Sequence, residues 1–418
     1  MRFRVQSEDL KRALDVLTLV TPSAVTAKGI AGYLFVVKDG VCSAYSRDSR
    51  RRVKTELPVV DVEGEGSFLF LSTKIAAMRY LEGWIDLEYG QDGDLFWFKY
   101  TSEEGASAEW SSCDPDLMQP LDEELERASE GFSIPSATLK KGLDVTKKYA
   151  APAADPRLGE HYKTVQLFDA KAKKEWAKGD GCLFASDHIR ICYFFCEAFK
   201  GKGLSIHSLD LPCVMSFLSK CEGSVTVRPG EGVTFMTDSA GRTLGWSAHL
   251  KSHGKYAYYP LKMDEFVLSA STKILLRNLK LVRAGLDSDK DKVRVEYSHA
   301  DKSIRFRASD GQGKVSAFPV SVVPILDEET GAGKSALSDD FADNFNINHL
   351  IELVDSVEGH QVELRAAPMS KGGKKYVLLR AIERFWLDSK GKVRISSGDA
   401  EEGEAHLCEV TRFMPSKG

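Results

Sequence analysis

Three segments of this sequence begin in the same way, and an internal repeat constrains the fold more strongly than any single motif. Each segment starts with a short strand pattern, passes a Ser or Thr cap, and enters a helix pattern with leucines three or four residues apart. The three segments start at Phe3, Phe132 and Phe266. The sequence therefore predicts three copies of one plan rather than a single large domain.

A second helix pattern closes each copy and ends with the dipeptide Glu-Gly, at 82–83, 222–223 and 358–359. Glycine just past a helix end takes the left-handed cap conformation, and each dipeptide is followed by the alternating apolar and polar residues of a strand pattern. Every copy thus has two half-units, each with a helix covering one face of an antiparallel sheet. We predict an α+β fold of three repeated domains, with the polar segment 122–131 as one boundary. Their ranges are 1–129, 130–263 and 264–418.

The composition is that of an ordinary globular protein, with 43% hydrophobic and 28% charged residues among 418. No apolar run is long enough to cross a bilayer, and the charged start MRFRVQSEDLKRAL does not fit a signal peptide. The eight cysteines form no Cys-x-x-Cys pair, which indicates buried thiols in a reducing compartment. We therefore expect a cytoplasmic protein with no membrane partner.

Basic residues concentrate in three helix patterns, although the net charge of the chain is −4. Solvated helices usually mix both signs, because oppositely charged i,i+4 pairs stabilise them. A one-signed face is typical of contact with a polyanion such as the DNA backbone; a solubilising lysine face is the alternative. The candidate residues for contact with such a polyanion are Lys28, Lys74, Arg79, Lys140, Lys141, Lys147, Lys148, Lys273, Arg277, Lys280 and Arg283.

An enzyme is another class to consider, and its candidate carboxylates are Asp48, Asp187 and Asp310. These occupy corresponding positions in three different domains, too far apart to share a substrate, so turn and strand-end hydrogen bonding is the better interpretation. The string GAGKS at 331–335 lacks the strand and helix that flank a phosphate-binding loop, and the nine histidines show no ligand spacing. We expect no catalytic residue, no metal and no cofactor.

Four segments, in this order, resemble the bacterial DNA polymerase III beta sliding clamp family over nearly the whole chain. They are FRVQSEDLKRAL at the start, LFASDHIRICY at 183–193, FNINHLIELVDSVEG at 345–359 and FMPSKG at 413–418. The resemblance implies three clamp domains per chain and a head-to-tail homodimeric ring, with helices around a central hole and sheets outside. It further implies a DNA replication processivity factor that encircles double-stranded DNA and has the replicative DNA polymerase and a clamp loader as partners.

The resemblance also implies a hydrophobic cleft between the middle and last domains, which accepts short peptides from polymerase, loader and repair proteins. The family's strand there has Thr-Asp-Gly-His-Arg-Leu, and this chain keeps the Asp-x-x-Arg spacing but has a histidine in place of the glycine. The cleft residues implied are Ser186, His188, Arg190, Ile191, Arg412, Phe413, Met414 and Pro415.

For the ring contact, the resemblance implies that the edge strand around Ala108 and Trp110 meets Leu281 and Val282 of the second subunit. Two other function classes stay open. A duplicated α+β scaffold, for example a viral assembly protein, would share the repeat without forming a ring. A regulatory DNA-binding protein is less well supported, because the sequence has no base-reading element.

Overall fold

The computed structural model describes residues 1–20, 32–169, 181–230, 232–248, 267–298, 300–309, 314–324, 341–357, 359, 361–371, 374–388, 390, 392–394 and 406–415. The strands of this part of the chain pair antiparallel, and helices lie between them in the sequence. The predicted α+β class is confirmed. Within these ranges, no helix has the length and apolar character needed to cross a membrane.

The helices begin where the sequence predicts them, directly after the first strand of each repeat and again later in each repeat. One face of each longer helix is apolar and is buried, as in α1, where Leu10, Leu14 and Leu17 face the core. The α-helices are α1 (Ser7–Leu17), α2 (Ile75–Met78), α3 (Asp122–Glu126), α4 (Ser136–Thr146), α5 (Leu211–Leu218), α6 (Thr272–Ala284) and α7 (Ile347–Asp355).

The strands are numbered along the chain. In the first repeat they are β1 (Arg2–Gln6), β2 (Gly32–Lys38), β3 (Val41–Arg47), β4 (Arg51–Leu57), β5 (Val60–Glu63), β6 (Gly66–Leu71), β7 (Trp84–Asp92), β8 (Leu95–Ser102) and β9 (Ser107–Ser111). In the second they are β10 (Phe132–Pro135), β11 (Thr164–Asp169), β12 (Gly181–Ser186), β13 (Ile191–Cys196), β14 (Leu204–His207), β15 (Ser224–Pro229), β16 (Val233–Thr237) and β17 (Thr243–Ser247). In the third they are β18 (Val267–Ser271), β19 (Lys292–Ser298), β20 (Ser303–Ser309), β21 (Lys314–Ser316), β22 (Val320–Pro324), β23 (Phe341–Asn346), β24 (Gln361–Lys371), β25 (Lys374–Leu387), β26 (Val393–Arg394) and β27 (His406–Pro415).

The chain divides into two compact units. Unit 1 consists of Met1–Lys140 and Leu209–His249, and unit 2 of Lys141–Ser208 and Leu250–Gly418. Unit 1 contains a sheet in the order β5-β1-β7-β8-β9 and a second in the order β10-β15-β16-β17-β4-β3-β2-β6. Unit 2 contains a 14-stranded sheet, along β14-β11-β12-β13-β27-β25-β24-β18-β22-β20-β19-β23 with β21 beside β20 and β26 beside β25. Neighbouring repeats share sheets, so the two compact units do not correspond to single repeats. The three domains therefore remain a prediction.

The repeat is visible in the strand order. The orders β1-β7-β8-β9, β10-β15-β16-β17 and β18-β24-β25-β27 are equivalent, and α1, α4 and α6 each follow the first strand of one set. A second order also recurs, in β4-β3-β2-β6 and in β13-β12-β11-β14. Its third counterpart consists of β21, β20, β19 and β23. The six half-units predicted from the sequence are therefore present.

The predicted glycine caps have a somewhat different role. Gly83 and Gly223 have φ of 68° and 67°, but they lie a few residues beyond α2 and α5 and lead into the next strand. Their carbonyls accept hydrogen bonds from the backbone N–H of Ser7 and Ser136, both at 2.9 Å. The left-handed glycine thus positions the start of the first helix of the same repeat. Glu358 of the third dipeptide lies outside the described residues.

The core of the third repeat lies between its two helices and its sheet. Helix α6 contributes Leu275 and Leu279, and α7 contributes Leu350 and Leu353, all at most 2% exposed. Asn346 caps α7, because its side-chain oxygen accepts the backbone N–H of His349 at 3.1 Å. The face of α6 opposite this core is left for the basic residues.

Candidate DNA-binding and peptide-binding surfaces

Helix α4 and the turn that follows it carry four of the predicted DNA-binding lysines. Lys147 and Lys148 are exposed, whereas Lys140 and Lys141 are half-buried. The Nζ atom of Lys147 lies 2.6 Å from an oxygen of Asp144. Partial burial raises the pKa of Asp144, but the hydrogen bond from Lys147 and the positive charges of Lys147, Lys148 and Lys141 together outweigh burial, so this pKa lies below its usual value. The exposed end of this segment keeps an excess of positive charge.

Helix α6 has the clearest basic face. Lys273, Arg277 and Lys280 are exposed and follow at spacings of four and three residues, which places them on one side of the helix. The buried Leu275 and Leu279 lie on another side, towards the sheet. The arrangement fits contact with a row of phosphates, because no base-reading geometry is required for it.

Two of the predicted α6 cations have partners within the protein. The Arg283 guanidinium donates to three backbone carbonyls of the loop after α6, at 3.1 to 3.3 Å, so its main contacts are structural. Lys280 lies 3.5 Å from Asp355 of α7, and both side chains are more than half exposed. An exposed pair of this kind is weak, so Lys280 can exchange Asp355 for a phosphate at little cost.

The basic residues near α2 are placed less favourably for binding DNA than those of α6. Lys74 and Arg79 are exposed at the two ends of this short helix. Arg79 forms an ion pair of 3.0 Å with Asp15 and a hydrogen bond of 3.4 Å with Thr18. Lys28 lies outside the described residues. This region therefore contributes one cation, Lys74, that has no acidic neighbour within the described contacts.

The turn between β12 and β13 is built around Asp187. One of its oxygens accepts the backbone N–H groups of Ile189 and Arg190, at 3.1 and 2.6 Å. The other accepts Nε of Arg190 at 2.7 Å. The Asp-x-x-Arg spacing noted in the sequence is therefore a closed turn in which the carboxylate holds both the backbone and the guanidinium.

Asp48 makes the same turn in the first repeat. It accepts the backbone N–H groups of Arg50 and Arg51, at 2.7 and 2.6 Å, and Nε of Arg51 at 3.0 Å. The predicted strand-end role of Asp48 and Asp187 is confirmed. Asp310, the third residue of the set, lies outside the described residues.

Arg190 has contacts beyond its own turn. Its guanidinium forms an ion pair with Glu352 of α7, donates to the carbonyl of Lys148 at 3.4 Å, and lies 5.5 Å from the ring centre of Tyr149. Arg190 thereby joins the turn, the end of α4 and α7 within unit 2. Glu352 was not predicted as a site residue. The one sequence feature that could have pointed to it is the absence of Lys and Arg from its helix, α7.

Strands β13 and β27 bring the two predicted cleft segments together. Ile191 lies opposite Phe413, and Cys192 lies opposite Arg412. These segments are far apart in the sequence, so their adjacency is a tertiary result. It agrees with the pairing that the resemblance implies.

The other predicted cleft residues differ in accessibility. Ser186 is buried at the end of β12, and Met414 is 1% exposed within the core of the third repeat. Met414 therefore packs the core and offers no open surface. Pro415 is the last residue of β27. Among the cleft residues whose side chains the structure describes, an accessible part is the turn that carries Ile189, which is 50% exposed.

His188 occupies the position where the family has glycine, and its backbone is in the left-handed region with φ of 77°. Its N–H donates to the Ser186 hydroxyl at 3.2 Å, and its Nδ1 lies 3.0 Å from the Tyr162 hydroxyl. Partial burial and the nearby His188 lower the pKa of His161. The two histidines and Tyr162 border the turn, and no pattern in the sequence pointed to Tyr162.

The predicted ring-contact residues are on two separate elements. Ala108 and Trp110 lie on β9, the last strand of its sheet, and the Trp110 ring packs 5.3 Å from that of Tyr100. Leu281 is 48% exposed on α6, whereas Val282 is fully buried. Of the two α6 residues, only Leu281 can contribute a side chain to a surface contact, because Val282 faces the core.

Side chains able to bind a metal are dispersed in the part of the chain that the structure describes: no three His, Cys, Asp or Glu residues are grouped there. Six of the eight cysteines are buried and two are half-buried. Burial raises the pKa of Cys42 to about 12, which keeps this thiol protonated and unreactive.

Solved structures match this chain over its whole length. No protein-family model and no curated protein matches its sequence. A DNA polymerase sliding clamp from Pseudomonas aeruginosa superposes with a TM-score of 0.72 at 14% identity, over 100% of both chains. One from Caulobacter crescentus gives 0.71 at 13%, again over 100% of both.

A third solved structure is also similar. The DNA polymerase III beta subunit of Thermotoga maritima has a TM-score of 0.65 at 16% identity, over 100% of this chain and 99% of that chain. Identity at this level shows the fold, because buried patterning can persist after most surface residues have changed. From one end to the other, this chain has the fold of the DNA polymerase III beta sliding clamps.

Proposed function

We propose that this protein is a DNA sliding clamp, a processivity factor that encircles double-stranded DNA as a homodimeric ring and tethers the replicative DNA polymerase. The observation that carries the proposal is the end-to-end fold likeness to sliding clamps, with TM-scores up to 0.72. A clamp loader and repair proteins are the further partners. The role requires no catalysis, because the ring acts by holding its partner on DNA.

The charge distribution supports a sequence-independent grip on DNA. Lys147 and Lys148 are exposed in the turn directly after α4, and Lys273 and Arg277 are exposed on α6; both helices follow the first strand of their repeats. Lysine and arginine at such positions neutralise phosphates without reading bases, which leaves the protein free to move along the duplex. A base-specific regulator would instead need side chains that enter a groove.

Retention on circular DNA tests the proposal. Protein loaded on a nicked circular plasmid should survive gel filtration in high salt, and a single cut in the plasmid should release it. A topological link does not depend on salt, whereas ordinary phosphate contacts weaken as salt rises. If circular and linear plasmids retain the protein equally, the chain is a non-ring scaffold and the clamp proposal is wrong.

The turn at Arg190 is the proposed peptide-binding site, together with Ile191 and the end of β27. Replacing Arg190 with alanine should weaken binding of a peptide from the partner polymerase by at least about tenfold, or about 1.4 kcal/mol. The reason is that Arg190 holds the turn and Glu352 in place through its ion pairs. Calorimetric titration measures the affinity.

Arg242 provides a matched control for this experiment. It closes a similar turn with Asp238, whose oxygen accepts Nε of Arg242 at 2.7 Å, in unit 1. Arg242→Ala should leave peptide affinity unchanged. Equal losses in the two variants would mean that the effect of Arg190→Ala comes from general destabilisation and that the peptide binds elsewhere.

A further inference from the structure

Strands β24 and β25 form a hairpin that is longer than the sheet around it. The neighbouring strand β18 pairs with β24 only as far as Arg365, and β27 pairs with β25 only from Leu378 onwards. Beyond these positions, and among the described strands, 366–371 and 374–377 pair only within the hairpin. We call these two segments the ribbon. Its β24 side is six residues long, or about 20 Å.

The ribbon and its base carry charge of one sign. Residues 364–382 include five basic residues and no acidic one, although the chain as a whole has 61 acidic and 57 basic residues. This stretch therefore contains no carboxylate that could neutralise its cations. The five basic residues are Arg365, Lys371, Lys374, Lys375 and Arg380.

Four of the five cations form two directly opposed pairs. Lys371 lies opposite Lys374, and Arg365 lies opposite Arg380. Like charges directly across an antiparallel pair destabilise it, and a two-stranded hairpin is at best marginally stable in water. The fold by itself gains nothing from this arrangement, whereas a bound polyanion would remove the repulsion.

Both cation pairs occupy positions on one face of the hairpin. Residues two apart on a strand share a face, so Arg365 and Lys371, which are six apart, do so as well. The alternate positions hold Leu364 and Leu379, which are 5% and 7% exposed and belong to the core under α6 and α7. The cation pairs are therefore on the face opposite that core, which we call the outer face. Lys375 occupies a position on the other face.

Apolar and aromatic residues occupy the outer-face positions between the two cation pairs. Met369 lies opposite Tyr376, and Ala367 lies opposite Leu378. Met369 and Tyr376 are beyond the last positions that pair with β18 and β27. From the tip, the order is a cation pair, a methionine with an aromatic residue, an apolar pair and a second cation pair. A surface that bound phosphates alone would not need the two middle pairs.

Pro368 distinguishes this pattern from simple protection of an open strand edge. It lies in the part of β24 that extends beyond β18. Proline has no backbone N–H, so it prevents a further strand from pairing along that edge. The lysines at the tip are therefore not needed to keep this edge of β24 from pairing with another chain.

We propose that the outer face of the ribbon binds single-stranded DNA, with Lys371 and Lys374 contacting phosphates and a base stacked on Tyr376. Proteins that bind single strands without sequence preference combine cations for the backbone with aromatic rings for the bases. A base that is paired inside a duplex cannot stack on such a ring. Duplex DNA would therefore use only the cations of the ribbon, and a single strand would use both kinds of residue.

This inference goes beyond the proposed clamp role and does not depend on a ring. A short single strand can bind the ribbon of one subunit, whereas a topological link requires a closed ring. A DNA polymerase copies a single-stranded template next to duplex DNA, so both forms of DNA are present where a clamp would act. The ribbon would give the protein a contact with the template strand in addition to its contact with the duplex.

Binding of a fluorescent oligothymidylate, which cannot pair with itself, tests the cations. Lys371→Ser with Lys374→Ser should lower the slope of log affinity against log salt by about 1.4, since each phosphate contact of a single strand contributes about 0.7. Lys375→Ser with Lys390→Ser removes the same charge from the other face and from the exposed turn after β25, and it should change the slope by less than one contact. Fluorescence anisotropy gives the slopes. Equal losses of slope in the two double variants would overturn the proposal.

A substitution at Tyr376 tests the stacking without a change of charge. Tyr376→Leu should weaken binding of oligothymidylate by about fivefold or more, whereas Tyr376→Phe, which keeps a ring, should retain the affinity. Neither variant should change the salt slope or the affinity for a blunt-ended duplex of the same length. If the leucine and phenylalanine variants bind oligothymidylate equally well, or if the duplex loses as much affinity as the single strand, the proposal is wrong.

The remaining outcomes separate the ribbon from the proposed ring. If the wild type does not bind oligothymidylate at low salt, the ribbon proposal fails, and retention on circular plasmids still decides the ring. If circular plasmids do not retain the protein but Tyr376→Leu weakens binding of the single strand, the ring fails and the ribbon proposal stands. If the double lysine variant weakens only the binding of the polymerase peptide, the ribbon is a protein-binding surface and the proposal is overturned.

Discussion

Replacing Lys140, Lys141, Lys147 and Lys148 with alanine should lower the slope of log affinity for DNA against log salt by about 1.8 to 3.6, because each lost phosphate contact removes about 0.9. Binding to short linear duplexes, measured by fluorescence anisotropy over a series of salt concentrations, gives this slope. The exposed Lys147 and Lys148 should account for most of the change, since Lys140 and Lys141 are half-buried.

A matched variant separates this segment from the general effect of four lost charges. Lys38, Lys200, Lys220 and Lys292 are exposed on strands and turns rather than on α4 or α6, and their replacement leaves the net charge equal to that of the first variant. The control should change the slope by less than one contact. If both variants reduce the slope equally, the basic helices have no special role in DNA binding.

Met414→Ala should destabilise the protein by about 2–5 kcal/mol, the range for large-to-small changes in a packed core. The Met414 side chain is 1% exposed and belongs to the cluster under α6 and α7. The resemblance implies that Met414 lines the peptide-binding cleft. Because the side chain is buried in the core, we expect its replacement to lower stability more than peptide affinity. Urea unfolding, followed by circular dichroism, measures the free energy of unfolding.

Met414→Leu conserves volume and should cost less than about 1.5 kcal/mol, which makes it the matched control. A loss below about 0.5 kcal/mol for Met414→Ala would show that this side chain is not packed as the structure has it. For the same reason, deleting 413–418 would remove the end of a paired strand and a core side chain together. Point variants at the turn are therefore the better test of peptide binding.

The acidic segment after β9 illustrates how far local sequence reasoning extends. This polar segment, 122–131, was predicted to separate two domains, and it follows the last strand of the first repeat. It nevertheless contains α3, whose Asp122 lies 2.7 Å from Lys54, and whose Glu124 forms an ion pair with Arg52. Polar composition predicted a boundary here, but it carried no sign that the segment docks on the basic strand β4.

The sequence by itself determined the features that depend on neighbouring residues. Asp39 and Gly40 are an Asp-Gly pair, which favours a two-residue hairpin turn, and they have φ of 51° and 75°, as a turn with two left-handed positions requires. The starts of α1, α4 and α6 and the basic face of α6 followed from residue spacing in the same way. Turn chemistry and helical periodicity act over a few residues, so they can be recognised without the fold.

The tertiary structure alone decided which distant segments meet. The partnership of Arg190 with Glu352, the burial of Val282 and Met414, and the pairing of β13 with β27 have no local signal. Strand pairing depends on hydrogen bonds between segments separated by any length of chain, and its register is set by which face becomes buried. That choice exists only once the sheets have packed, and for that reason the sequence predicted the repeats but not the joints between them.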